Sequence, residues 1–267
     1  MNFLVFSVKI LKLGGSAITD KTKPFLARED VIKRVAKEIV KSNPKHLIII
    51  HGGGSFGHPL AKKYRLKEGF KEKNQIKGFA ETRWMMMILH KLILDSLISN
   101  GVNAVSFPPF SFVETTNQRI SHMDVSILKK ILKFGLVPVL HGDVVVDRKL
   151  GFTILSGDQL AARLAIDLKA EKIVLATDVD GVYTSNPKTN PNAKMISQLS
   201  LSSIKKTLRM EKDVSTMDVT GTMIGKLKEM IPAVNFGVKV FLVNALKNGR
   251  IYKALKGLKV KGTILKP

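Results

Sequence analysis

Short apolar runs alternate with longer helical patterns along most of the chain. Runs of five or six mainly apolar residues predict strands at 8–13, 47–51, 102–106, 137–141, 172–176 and 238–243. Apolar positions three and four residues apart predict helices at 28–41, 76–100, 124–133, 156–168 and 220–236. Two further short runs, 143–147 and 151–153, predict a hairpin. Strands that alternate with helices are typical of an α/β fold with a mainly parallel sheet.

We expect one continuous sheet that spans two lobes. The 267 residues suffice for one large domain or two small ones, and a hydrophobic content of 45% is ordinary for a globular protein. The stretch from Ser185 to Ala193, S-N-P-K-T-N-P-N-A, is the most loop-like part of the chain. We place a functional boundary near Ala170, with an N-terminal lobe over residues 1–170 and a C-terminal lobe over residues 171–267.

The chain is strongly basic, with a net charge of +23 from 44 Lys and Arg against 21 Asp and Glu. Such a charge suits either nucleic-acid binding or the attraction of small anionic substrates. The lysines are spread along the whole chain and aromatic residues make up only 6%. We therefore expect solvated charges with some steering of anionic substrates, and no nucleic-acid partner.

Membrane and secretory roles are disfavoured by the same simple counts. No apolar run reaches the roughly 18 residues that a membrane span needs, so we expect no membrane partner. The opening six residues are apolar but lack a basic leader and a cleavage site, which argues against a signal peptide. The chain has no cysteine, which excludes disulfides and thiolate chemistry and fits a cytoplasmic protein.

Two predicted strands run directly into glycine-rich turns. The first turn is K-L-G-G-S at 12–16, and the second is H-G-G-G-S-F-G-H at 51–58. Backbone N–H groups of a glycine turn just ahead of a helix bind anions. With lysines beside the first turn and a histidine closing the second, the pair predicts a site that holds more than one phosphate.

Two common nucleotide motifs fit the chain poorly. The segment 221–226, G-T-M-I-G-K, is one residue short of a P-loop and lacks the hydroxyl that would hold magnesium. Gly52, Gly54 and Gly57 match the dinucleotide fingerprint after a strand, but Glu72, at about the required distance, lies in a stretch too polar for a buried strand. A nicotinamide-dependent dehydrogenase stays a weaker alternative, as does a basic binding protein without catalysis.

Five motifs, in their order and spacing, resemble the amino acid kinase family. They are K-L-G-G-S at 12–16, H-G-G-G at 51–54, S-G-D-Q-L-A at 156–161, T-D-V-D-G-V-Y at 177–183 and G-T-M-I-G-K at 221–226. Within the family, G-S-F-G-H-P at 54–59, together with Asp20 and Lys21, is similar to the isopentenyl phosphate kinase branch. The histidine is shared with fosfomycin kinase. The resemblance implies a three-layer αβα sandwich with a mainly parallel central sheet and two lobes.

The resemblance also implies an activity. It would be the ATP-dependent phosphorylation of isopentenyl phosphate to isopentenyl diphosphate, in isoprenoid biosynthesis by the mevalonate pathway. The acceptor would bind in the N-terminal lobe and ATP in the C-terminal lobe. Mg²⁺ is expected on ATP, although no carboxylate pair identifies metal ligands, and a homodimer is implied as well. A fosfomycin kinase, or another small-molecule kinase of the family, is the alternative.

The resemblance assigns three overlapping sets of residues to the site. The catalytic set is Lys12, Lys21, His58, Asp158 and Lys226. The ATP-binding set is Lys12, Gly14, Gly15, Ser16, Gly54, Asp178, Val179, Asp180, Gly181, Tyr183, Gly221 and Lys226. The acceptor-binding set is Gly53, Gly54, Gly57, His58 and Gly157.

These residue types suit the implied chemistry. An acceptor that is already an anion needs no general base, but it needs positive charge to meet a second anionic phosphate and to stabilise the transition state. The lysines would supply that charge, His58 would donate a hydrogen bond to the acceptor phosphate, and Asp158 would orient the lysines. Simpler interpretations are a surface or capping histidine and a first-turn helix acid that complements the helix dipole.

Two other groups invite functional interpretations that we do not favour. His141 and Asp143 are interpreted as a strand end, since no third ligand at a sensible spacing completes a metal site. Trp84 and the methionines at 85–87 are expected to pack in the core. The alternative for this run is an apolar pocket for a prenyl tail, which flexible methionines would suit.

Overall fold

The computed structural model describes residues 7–20, 22–185, 190–210 and 221–267. Four sequence predictions therefore fall wholly or partly outside the described residues. They concern the opening six residues, Lys21, positions 186–189 of the predicted loop, and the predicted helix start at Thr220.

Strands and helices alternate along the chain. The strands are β1 (Lys9–Leu13), β2 (Thr19–Asp20), β3 (Leu26–Ala27), β4 (Leu47–His51), β5 (Ala104–Ser106), β6 (Val113–Thr116), β7 (Arg119–Met123), β8 (Val137–His141), β9 (Asp143–Asp147), β10 (Gly151–Leu155), β11 (Lys172–Thr177), β12 (Val182–Tyr183), β13 (Met195–Ile196), β14 (Gln198–Ser200), β15 (Lys239–Asn244) and β16 (Gly262–Lys266). The α-helices are α1 (Gly15–Ile18), α2 (Glu29–Ser42), α3 (Gly54–Lys63), α4 (Asn74–Ser99), α5 (Ser126–Lys133), α6 (Gly157–Asp167), α7 (Leu201–Met210), α8 (Gly221–Asn235) and α9 (Arg250–Lys256).

An eight-stranded sheet forms the middle layer of the molecule. Its strand order is β14-β16-β15-β11-β1-β4-β8-β5, and the neighbouring strands run parallel except for β15 and β16. A separate four-stranded sheet, in the order β10-β9-β6-β7, contains the predicted hairpin. The main sheet draws strands from both sides of residue 170, as expected for one continuous sheet. The division of function between two lobes stays a prediction.

Helices cover both faces of the main sheet because its inner strands have apolar residues on both faces. In β4, Ile48 and Ile50 pack in one cluster with residues of α5, α6, α7 and α8. Leu47 and Ile49 point the opposite way and pack with α1, α2, α3, α4 and α9. Side chains that alternate between two covered faces are typical of a parallel sheet buried on both sides. The fold is therefore the predicted three-layer αβα sandwich.

Long apolar runs predicted elements well, and short mixed ones did not. The predicted strands β4, β8 and β9 are confirmed to the residue, and the other predicted strands and helices are confirmed with ends within two residues, apart from the helix start at Thr220, which lies outside the described residues. The sequence patterns predicted neither β6, β7, α7 and α9 nor the strands of two or three residues, β2, β3, β12, β13 and β14. The strands β6 and β7 have only four and five residues and are only partly buried. Most of their residues are polar, so no alternation of apolar and polar positions is visible in the sequence. The helix α9 spans only seven residues.

The expected core packing of Trp84 is wrong. Its side chain is 67% exposed, whereas Met86, two residues along α4, is 2% exposed. Two residues of an α-helix are about 200° apart around the axis, so the two side chains point in nearly opposite directions. An unbroken apolar run on a helix cannot lie entirely on the buried face.

Within the described ranges, no helix is both long and apolar enough to cross a membrane.

Candidate active site

A cavity of about 400 Å³ lies at the carboxyl ends of the central strands. Lys12 near the end of β1, Gly52 after β4, Gly142 after β8 and Thr177 at the end of β11 all line it. Ligands of open α/β sheets bind in the crevice beyond the carboxyl ends of the strands. The position of the cavity therefore follows from the order of the strands, with β1 and β4 at its centre.

Two lysines and one aspartate meet at the base of this cavity. The Nζ of Lys12 lies 2.6 Å from Oδ1 of Asp158, and the Nζ of Lys226 donates a hydrogen bond to Oδ2 at 3.1 Å. These side chains come from β1, α6 and α8, which are far apart in sequence. Lys12 is 4% exposed and Asp158 is 7% exposed. The expectation that Asp158 holds the lysines in place fits this geometry, and Lys12 does not extend into solvent.

Burial and charge act against each other in this group. Burial acts to lower the pKa of Lys12, Asp158 acts to raise it and the charge of Lys226 acts to lower it, and the result is a pKa of about 8. Burial also tends to raise the pKa of Asp158, but the charges of Lys12 and Lys226 outweigh burial and keep it below its ordinary value. Asp158 is therefore a firmly ionised carboxylate and a weak base.

The two glycine turns touch each other, backbone against backbone. A Cβ added at Gly15 would lie 2.3 Å from the N of Gly54, and one added at Gly52 would lie 2.8 Å from the N of Gly15. Thr19 joins the turns, because its hydroxyl donates to the O of Gly15 at 2.8 Å and accepts from the N of Ser55 at 3.0 Å. Glycine is required here because only the absence of a side chain allows this approach.

Two of the longer helices, α3 and α6, begin beside the same cavity, at Gly54 and Gly157. Lys226, on α8, lines the cavity as well. The first backbone N–H groups of a helix have no acceptor within that helix, and they carry the positive end of its dipole. Together with the two lysines, these helix starts make the cavity a strong site for anions such as phosphate.

One side of the cavity combines a histidine with apolar surface. His58, on the first turns of α3, lines the cavity together with Ala61, Met86 and Ile154. The Sδ of Met86 lies against Gly53 and Gly57, at 3.0 and 2.8 Å from the Cβ positions that those glycines lack. An anion held at the start of α3 would therefore have apolar space beside it.

The opposite side contains the turn that follows β11. Asp178, Val179, Gly181 and Tyr183 line the cavity there. The hydroxyl of Ser16 donates to Oδ1 of Asp178 at 2.9 Å, which ties this turn to the first glycine turn.

The structure brings most of the predicted site residues together. Those that line the cavity are Lys12, Gly15, Ser16, Gly53, Gly57, His58, Gly157, Asp158, Asp178, Val179, Gly181, Tyr183 and Lys226. Among the described residues, Gly14, Gly54 and Asp180 are not in the lining, and the role of Gly221 stays a prediction. Asp180 instead accepts from Nδ2 of Asn244 at 2.9 Å and pairs with the Nζ of Lys261 at 2.8 Å, so it braces the turn from behind. Lys21 lies outside the described residues.

Sequence reasoning missed part of the cavity wall. Thr82, Asp143 and Ile154 line the cavity but belong to no motif. Asp143 pairs with Nη1 of Arg83 at 2.9 Å. Burial raises the pKa of Asp143 to about 7, although Arg83 acts to lower it. The only available signal was their place beside recognised elements, because Asp143 follows the end of β8 and Thr82 lies one turn before Met86.

The described residues do not fit a magnesium ion held by the protein. In the described parts of the chain, no group of three or more His, Asp or Glu side chains is placed to hold a metal ion. The oxygens of Asp158 are engaged by two lysines, and Asp178 accepts from Ser16.

Comparisons with known proteins agree with this geometry. The model of the amino acid kinase family matches residues 7–244. Isopentenyl phosphate kinase of Methanothermobacter thermautotrophicus is 40% identical over 262 residues, which cover 95% of this chain and 97% of the relative. That of Methanocaldococcus jannaschii is 42% identical over 264 residues, covering 95% and 96%. A crystal structure of isopentenyl phosphate kinase superposes with a TM-score of 0.85 at 38% identity, over 97% of this chain and 100% of the other.

The contact between the turns predicts the effect of one added methyl group. We expect Gly15→Ala to weaken the binding of pyrophosphate more than about tenfold in calorimetry, because the new Cβ forces the two backbones apart. Gly225→Ala is the control, since its Cβ would meet nothing within 4 Å. It should keep or raise the unfolding temperature, because alanine favours a helix by about 1 kcal/mol over glycine. Unchanged pyrophosphate binding in Gly15→Ala would contradict the role of this contact.

Proposed function

This chain belongs to the amino acid kinase family, and we propose that it transfers the γ-phosphoryl group of ATP to isopentenyl phosphate. The observation that carries the proposal is the near full-length likeness to isopentenyl phosphate kinases, at 40% and 42% identity. The cavity supports it, because cationic groups and an apolar wall meet at the start of α3. The products would be isopentenyl diphosphate and ADP, within isoprenoid biosynthesis.

The proposed reaction needs charge more than proton transfer. An oxygen of the acceptor phosphate attacks the γ-phosphorus of ATP, and the bond from that phosphorus to the bridging oxygen of ADP breaks. The attacking oxygen is already anionic, so no base has to remove a proton. Asp158, whose pKa lies below its ordinary value, is unsuited to act as a base in any case. Its role is to hold Lys12 and Lys226 where charge builds up between the two phosphates.

The two substrates are assigned to opposite sides of the cavity. His58 and the amides at the start of α3 would hold the acceptor phosphate, with the branched alkenyl tail against Met86, Ala61 and Ile154. The turn at 178–183 and the start of α8 would hold ATP. Magnesium would arrive on the phosphates of ATP, as Mg²⁺ commonly does in kinases.

The burial of Lys12 predicts a pH dependence. Its pKa of about 8 means that the ammonium charge is lost as the pH rises through that value, so kcat/KM for ATP should fall above about pH 8. Asp158→Asn removes the charge that raises this pKa, so the fall should begin at lower pH. Asp167→Asn, at the far end of the same helix and paired with Arg163, is the control and should keep the wild-type profile. An Asp158→Asn profile identical in shape to the wild type would contradict this role.

The proposed activity is tested by ADP release with MgATP and isopentenyl phosphate, fosfomycin or no acceptor. We expect turnover with isopentenyl phosphate only. His58→Ala should lower kcat/KM for the acceptor by about 10²-fold, through a higher KM, a lower kcat or both. This is the size expected for the loss of a hydrogen bond to a charged group. His122→Ala, at an exposed histidine on β7, is the matched control and should behave as the wild type. Turnover with fosfomycin alone, or with neither acceptor, would exclude the proposed substrate.

We further propose that the enzyme is cytoplasmic, which fits the absence of cysteine.

We also propose that the enzyme is a homodimer. The outer face of α4 supports a dimer, because Ile76, Trp84 and Ile98 are 59%, 67% and 55% exposed there. Light scattering should give twice the chain mass for the wild type and a smaller mass for Trp84→Glu. Phe236→Glu, at another exposed aromatic residue, should stay dimeric. A monomeric wild type at micromolar concentration would refute the dimer.

A further inference from the structure

Three buried histidines lie together behind the second glycine turn, and the proposed reaction does not use them. His51 ends β4 and His141 ends β8, where the two residues are paired in register, and His90 faces them from α4. His51 and His141 are 0% exposed and His90 is 1% exposed. The ring centres of His51 and His90 are 5.2 Å apart, and those of His90 and His141 are 4.9 Å apart.

The hydrogen-bond partners fix where each proton lies on two of these rings. The Nδ1 of His51 is 3.2 Å from the O of Gly52, which can only accept, so Nδ1 carries the proton. The Nε2 of His51 must then accept, and the Nδ1 of His90 donates to it at 3.0 Å. This leaves the Nε2 of His90 to accept from the hydroxyl of Ser106 at 2.9 Å. All three hydrogen bonds therefore point in one direction, from Ser106 to Gly52.

The direction holds only if each ring is neutral, and the surroundings favour that state. Burial, followed by the charges of the neighbouring histidines, lowers the pKa of His51 well below its ordinary value. Burial and His141 lower the pKa of His90 to about 3. A neutral imidazole has one donor and one acceptor, which are the two functions that a chain of hydrogen bonds requires.

The peptide at the end of this chain belongs to the site. Gly52 and Gly53 both line the cavity. The N of Gly52 donates to the O of Leu13 at 2.9 Å, and the O of His51 accepts from the N of Gly142 at 3.0 Å. The O of Gly52 belongs to the next peptide, between Gly52 and Gly53, and the hydrogen bond from Nδ1 of His51 holds that carbonyl in place. The orientation of the peptide determines where the following amides of the turn point.

We propose that Ser106, His90 and His51 form a one-way hydrogen-bond relay that positions the second glycine turn for the acceptor phosphate. They are positioning residues, since they act through the carbonyl of Gly52. The identity of the acceptor rests on the proposed function, whereas the relay itself rests on the hydrogen bonds and burial. The relay links an edge strand of the main sheet, β5, to the turn through the long helix α4.

Kinetics of two variants at one position separate positioning from packing. His90→Leu breaks the relay, and we expect KM for isopentenyl phosphate to rise about tenfold, with kcat and KM for ATP within about threefold of wild type. His90→Asn keeps an N–H where Nδ1 lies, so KM for the acceptor should return to within about threefold of wild type, although the smaller side chain packs less well. Equal acceptor KM values in the two variants, or an equal rise of both KM values, would overturn the relay.

Ser106→Ala gives a variant that removes only the first donor from an exposed residue. We expect a smaller rise of the acceptor KM, about threefold, with an unchanged unfolding temperature, since the hydroxyl contributes about one hydrogen bond. An acceptor KM equal to the wild type would show that the relay does not begin at Ser106 and would overturn its proposed extent.

Nitrogen NMR of the unliganded wild-type protein tests the relay without any substrate. Both His51 and His90 should give the resonances of neutral rings protonated at Nδ1. A proton on Nε2 of either ring, or a charged ring at neutral pH, would overturn the relay even in an active enzyme. The Nδ1 pattern in a protein that fails to phosphorylate isopentenyl phosphate would support the relay and reject the proposed function, so the two failures are distinguishable.

Discussion

The ion pairs of Asp158 with Lys12 and Lys226 are the interaction on which the site depends. Two ammonium groups share a mostly buried space only because one carboxylate lies between them. The arrangement costs stability, since the pKa of Lys12 falls from 10.5 to about 8 on folding. Between those pH values the unfolded chain binds a proton that the folded chain has released. The destabilisation that Lys12 causes therefore decreases as the pH rises from about 8 to 10.5. The fold sustains that cost at neutral pH with the burial of its central strands.

The same core also determines the geometry of the charges. Lys12 is on β1, which is paired on both sides by β11 and β4 in the middle of the sheet. Asp158 and Lys226 are on α6 and α8, whose apolar faces pack in one cluster against that sheet. The charged groups therefore meet because apolar residues elsewhere on the same three elements are buried together. A loss of packing between α6 and α8 would disturb the charges without any change to a charged residue.

Sequence reasoning worked where a local pattern was enough. Four apolar residues in a row, at 47–50, predicted β4, and glycines after two strands predicted the phosphate turns. It failed at Trp84, because an apolar run does not reveal which side of α4 faces the core. It did not find the wall formed by Thr82 and Asp143, or the contact of His90 with His51, because these depend on packing between elements distant in the chain. Resemblance supplied the roles of Lys226 and Asp178, whose residue types alone are equally typical of a surface.

The backbone contact between Gly15 and Gly54 has a mechanical consequence. Two side chains in contact can yield by rotating, but two backbones at van der Waals distance cannot, so the contact acts as a rigid stop. The first glycine turn is assigned to ATP, the phosphoryl donor, and the second is assigned to the acceptor phosphate. The minimum spacing of the two phosphate-binding turns is then set by van der Waals contact between backbone atoms and not by the closing of a lid. Such a spacing does not depend on the rotamers of the surrounding side chains.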